Sequence, residues 1–143
     1  MCILKVFSNT DSFKTYAARS PLPVYSVHDA TDIRRARTGE RYGVFRISFD
    51  VSDRDWDDFP GQVQDAIAFL TQHASAIRAL IDSHNVSDAV LDFPIWSRLD
   101  GRIVNQNDSL PPQLISLCAS AGLGIEMAQY ARDAFEPSPD SDA

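Results

Sequence analysis

Three observations along the 143-residue chain predict a single α+β domain, with a largely antiparallel sheet and helices packed on one face. Apolar residues alternate in strand fashion at residues 2–8, 42–51, 87–95 and 123–128. One long stretch from Phe59 to near Asn85 instead repeats its apolar residues every three or four positions, the period of a helix lying on a sheet. Between residues 86 and 130 the chain reads in turn as strand, polar loop, helix and strand, and the turn at Ala121-Gly122 makes the last strand an edge or partner of the sheet.

Taken in order, residues 2–8 are rich in Ile, Leu, Val and Phe and predict a buried strand, with Lys5 escaping at an edge if only one face is covered. Ser8 to Asp11 supply turn and cap residues, and Phe13 to Ala18 predict a short helix with Asp11 near its positive end. Pro21 and Pro23 stop that helix, and Val24 to Val27 form a short strand. Between Ser26 and Arg41 there is little periodicity; Ala30 to Arg37 predict a helical turn or two, and the stretch is a candidate functional loop, with the order of 28–41 left open by the sequence. From Tyr42 to Val51, Phe45, Ile47, Phe49 and Val51 face one side and Val44, Arg46, Ser48 and Asp50 the other, so one face is wet.

Pro60 opens the longest helix, with Asp57 and Asp58 where the helix dipole favours negative charge; Val63, Ile67, Leu70, Ala74, Ile77 and Ile81 form its apolar stripe. In the next strand Ala89, Leu91, Phe93 and Ile95 alternate with Asp88, Val90 and Asp92, and Pro94 marks an edge or a bulge. Asp108 or Ser109 caps the following helix, Pro111 or Pro112 begins it, and Leu114, Ile115, Leu117 and Cys118 form its buried side. Gly122 leaves it in a left-handed conformation, and Leu123, Ile125 and Met127 alternate with Gly124, Glu126 and Ala128 in the last strand. Residues 1–135 thus make one domain. The remaining EPSPDSDA has two prolines, three acids and no large apolar side chain, which predicts a disordered acidic tail at 136–143.

A formal charge of −7 repels nucleic-acid phosphates and anionic membranes and attracts a basic protein. There is no apolar run long enough to span a bilayer and no export signal at the start, and the two cysteines lack metal spacing; these features predict a cytoplasmic protein in a reducing compartment. Cys118, among Leu114, Ile115, Leu117 and Ala121, reads as a buried structural thiol. Asp53, Asp55 and Asp57 match the first positions of a calcium loop, but Asp58 stands where that loop needs Gly and Gln64 where it needs a bidentate Glu. Of His28, His73 and His84, no two have the spacing that puts paired ligands on one helical face, so no metal is expected. Neither a nucleophile elbow nor a phosphate-binding glycine loop is present; no catalytic residue, cofactor or enzyme activity is predicted.

The central IRRARTGERYGVFRISFD, the long helix, and then LDFPIWSRLDG and LPPQLISLCASAGLGIEMAQY together resemble a family of small bacterial proteins known only as a domain of unknown function. The resemblance covers most of residues 2–131 and rests on a strand ending in an aromatic, a polar loop, a Leu-Pro helix and a Gly-Leu-Gly strand. It implies an orphan cytoplasmic protein or an immunity protein that neutralises a toxin, and it carries no catalytic residues.

Arg46, Asp50, Asp92 and Glu126 fall on the wet side of their strands, and Arg46 is placed to pair with one of the acids if the strands are neighbours. Trp96 and Arg98 stand at the rim of the polar loop, where an aromatic and a cation suit either closure of the core or an interface anchor. These six residues are the candidate binding set. The expected function is macromolecular binding, as an immunity-type partner of a basic toxin. The alternative is a small-molecule or anion site, or a minor enzyme, using the loops 28–41 and 97–108. A homodimer through an edge strand is a further option.

Overall fold

A computed structural model describes residues 1–135 and shows a five-stranded mixed sheet, a separate two-stranded hairpin and three helices. The expected acidic tail lies outside the described residues. In the sheet, β1 (Cys2–Ser8) is central, flanked by β5 (Phe45–Ser52) and β6 (Val86–Trp96), while β2 (Val24–His28) and β7 (Gly124–Tyr130) form the edges. All neighbouring strands run antiparallel except β6 and β7. That pair is parallel because α3 (Pro112–Ala121) lies between them in sequence, and a helical crossover returns the chain in its original direction.

The pleat sorts the strands into two faces. Leu4, Val6, Ile47, Phe49, Ala89, Leu91 and Phe93 share one side and build a single core with α2 (Phe59–Ser83) and α3. Both long helices therefore cover the same face. Val63, Leu70 and Ile77 of the expected stripe on α2 are buried, together with Ala66 and Leu80, whereas Ile67 and Ile81 sit on its flank and Ala74 is exposed. Asp58 caps α2, its carboxylate accepting the Gly61 N–H at 3.0 Å, which satisfies one of the free amides of the first turn.

Several local expectations are corrected. Residues 30–37 do not form helical turns; β3 (Ile33–Arg35) pairs with β4 (Glu40–Arg41) in an exposed hairpin. Its turn closes where the Thr38 and Gly39 amides bond the Arg35 carbonyl with Gly39 at φ +67°, and Glu40 holds Arg35 across the pair at 2.9 Å. Lys5 does not escape at an edge, because β1 is the central strand. Asp11 accepts hydrogen bonds from Asn85, beyond the end of α2, instead of capping α1 (Lys14–Ala17). Neither Asp108 nor Ser109 caps α3: the Asp108 carboxylate is held by Arg98 and Gln106, and the helix starts from Pro111. Ile115 is exposed, leaving Leu114, Cys118 and Ala121 as the buried side of α3. Gly122 follows at φ +73°, as its position predicts.

Pro94 occupies the kind of position its missing amide requires. The pairing of β1 with β6 ends at Ile3 and Asp92, so Pro94 lies beyond β1 and pairs only with Ala128 of β7. On the helix side the fully buried Gln62 donates to the carbonyls of Pro94 and Asp55, both at 3.1 Å, and so ties the loop before α2 to β6.

Candidate functional site: the uncovered sheet face

The face turned away from the helices carries five of the six candidate residues. Asp50 of β5 stands opposite Ile3 of β1, Ile3 opposite Asp92 of β6, and Asp92 opposite Glu126 of β7, so one line across four strands holds three carboxylates around one isoleucine. In the next line Lys5 lies between Ser48 and Val90. Its ammonium reaches back to Asp92 at 2.6 Å and to Glu126 at 3.1 Å. The cation that joins the two acids is thus Lys5, and the expected pairing through Arg46 does not form. Arg46 instead lies over the Phe7 ring at 5.9 Å and donates to the Ser48 hydroxyl at 3.1 Å.

Burial differs sharply along the line. The Asp92 side chain is only 10% exposed and Glu126 is 53% exposed, while Asp50 is exposed and makes no ion pair among the described residues. Asp92 Oδ1 is buried with no hydrogen-bond partner among the described residues, so its charge rests on Lys5 alone. With one ammonium against three carboxylates, the line carries an excess of negative charge.

About four residues farther along β6 and β7, roughly 13 Å at strand spacing, Trp96 faces Tyr130. Trp56, from the loop after β5, packs on Trp96 at 4.7 Å and stacks on Tyr130 at 4.8 Å between centroids. Phe135 closes the group against all three rings and remains 66% exposed. Trp96 is therefore part of an aromatic cluster at the end of the sheet, half-buried and outside the main core. The sequence placed Trp96 at this rim. It gave no means of pairing it with Trp56, which lies 40 positions earlier and arrives through the Trp96 N–H bond to the Trp56 carbonyl.

Arg98, the sixth residue, lies beyond the strand and belongs to a different feature. It borders an open groove of about 540 Å³ between the start of α2 and the 97–111 loop, lined on its apolar side by Phe59, Pro60, Val63 and Ile67. Its guanidinium is bound to Asp108 at 2.8 Å. The loop 28–41 takes no part, because it leaves β2 at the opposite edge of the sheet and at the opposite end of the strands. The two loops of the alternative reading do not converge on one site.

The chemistry available at the remaining polar groups is limited. Burial pushes the Cys118 thiol up to about 11 and raises Cys2 further, so neither is a thiolate near neutral pH. The acids before α2 are committed locally: Asp57 pairs with Arg132 at 2.6 Å, Asp55 accepts the Asp57 amide, and Asp58 caps the helix. No cluster of three or more His, Cys, Asp or Glu suited to a metal ion occurs among the described residues. His28 stacks on Tyr42, His73 packs against Phe69, and His84 stacks on Phe13 at the end of α2. No helix among the described residues is long and apolar enough to cross a membrane. No family model, curated protein or solved structure matches the chain.

Proposed function

We propose that this is a cytoplasmic binding protein that recognises a basic protein partner through its uncovered sheet face, in the manner of an immunity protein that neutralises a toxin. The observation that carries the reading is the line Asp50, Ile3, Asp92 and Glu126 on a face without helices, beside the Trp56, Trp96, Tyr130 and Phe135 cluster. A carboxylate line attracts Lys and Arg at a distance, and aromatic rings supply the desolvated anchors that hold a complex. The chain's charge of −7 has the sign that steers a basic partner.

The test is affinity capture from the source cells at low and high salt, with Asp50→Asn/Glu126→Gln as the paired bait. A basic protein retained at low salt by the native chain, and lost with salt and with the double variant, supports the reading. A partner retained equally by both baits at both salts contradicts it.

A second reading starts from the partly apolar groove beside Arg98, whose guanidinium an anionic ligand would have to take over from Asp108. It predicts a small anionic ligand that raises the melting temperature of the native chain and not of Arg98→Ala. A ligand screen in which both respond alike removes it.

A further inference from the structure

We propose that the outer edge of β7 is a self-association strand that pairs antiparallel with β7 of a second copy, about a two-fold axis through Met127. The backbone sets this up. The Ser97 N–H donates to the Tyr130 carbonyl at 2.7 Å, so Tyr130 turns its peptide groups toward β6. By alternation Gly124, Glu126 and Ala128 do the same, and Ile125, Met127 and Gln129 direct theirs outward. Among the described residues nothing bonds these outward groups.

The edge also lacks the usual protections. β7 has seven residues with no proline and no break in register, and its single charge, Glu126, is turned onto Lys5. The other edge is different: β2 has five residues, an irregular register between Val24 and Ser26, and Pro21 and Pro23 immediately before it.

A second copy fits because the strand is self-complementary. Centred on Met127, the pairing sets Met127 against Met127 and Ile125 against Gln129 of the second copy, so each outward residue meets an outward residue and about six N–H···O bonds close. Glu126 then lies opposite Ala128, and like charges do not face each other. On the helix side Met127 is 38% exposed. Leu117 and Ser120 turn toward α2, which leaves Ile115, 49% exposed, on the opposite flank of α3. Two copies would bring these apolar side chains together beside the new strand pair.

The test is sedimentation of the full chain over a range of protein and salt concentrations, with Met127→Lys alongside and with amide exchange followed residue by residue. The expected mass rises with concentration toward twice 15.9 kDa. Added salt strengthens this association, since it screens repulsion between two acidic chains, whereas it weakens capture of a basic partner; the two proposals fail separately. Met127→Lys places two ammonium groups at the axis and weakens self-association at least about tenfold with an unchanged circular dichroism spectrum. In the native chain the amides of Ile125, Met127 and Gln129 exchange more slowly as concentration rises, and those of Glu126 and Ala128 do not change. A single-chain mass at every concentration and salt, or a dimer in which the three outward amides keep their dilute exchange rates, overturns the proposal.

Discussion

Lys5 joins the acids of β6 and β7 on the uncovered face. It is 17% exposed, it is the ion-pair partner of an Asp92 that is 10% exposed, and Asp92 Oδ1 has no hydrogen bond among the described residues to share the burden. Removing one member of such a pair strands the other in low dielectric. Lys5→Met is expected to cost about 3 kcal/mol in urea unfolding at neutral pH, and adding Asp92→Asn should recover most of it. Additive losses in the double variant would show that the pair does not act as a unit. A second residue-level expectation concerns Asp65. The Ser52 hydroxyl first, and then Arg54, hold its carboxyl below the usual range. A group depressed in the folded state contributes fully above its unfolded value near 4, and that contribution fades as pH falls through the lower folded value. Ser52→Ala should therefore flatten the loss of stability with acid over that interval, as followed by chemical unfolding at stepped pH. The two thiols give a third check. Buried and protonated, Cys2 and Cys118 should react with a thiol reagent only as fast as the chain opens, and rapid labelling of the native protein would contradict their placement.

At the scale of elements, α2 depends on how it begins. Asp58 accepts the Gly61 amide, and a methyl group on Gly61 would collide with that same carboxylate. Asp58→Ala should cost about 1 kcal/mol through the lost cap. Gly61→Ala should give little or negative benefit in the native background and about 1 kcal/mol of stabilisation once Asp58 is gone, because only then does the better helix propensity act alone. Equal effects of Gly61→Ala in both backgrounds would contradict the coupling. The elements legible in the sequence were those with a sustained period: α2, the alternation of Ala89, Leu91, Phe93 and Ile95 in β6, and the Gly122 turn into β7. The β3 and β4 hairpin was not legible, since its arginine-rich strands have no apolar period and its register comes from Gly39 and Glu40. Ile115 is exposed because it stands about 100° around the helix from Leu114, outside the arc that Leu114, Leu117, Cys118 and Ala121 turn to the core.

For the whole molecule, sequence alternation assigns each residue to a face but says nothing about which strands are neighbours. Asp50, Asp92 and Glu126 could be placed on the wet side from their own strands, yet their alignment in one line follows from the order β5, β1, β6, β7, which is set by long-range pairing. The same long-range order decides that Lys5 takes the role foreseen for Arg46, and that the loops 28–41 and 97–108 stand apart. It also brings Trp56 to Trp96 and Tyr130, which makes one aromatic cluster out of residues scattered along the chain. Charge and aromatic surface then lie on one face, with the helices and the core on the other.

The proposed recognition of a basic protein by this face is tested most directly by the association rate of the captured partner with the native chain and with Asp50→Asn/Glu126→Gln across ionic strength. The expected rate falls steeply with salt for the native chain, with a slower low-salt rate and a shallower dependence for the double variant. Identical rates and slopes for the two chains would contradict it and move recognition away from the uncovered face.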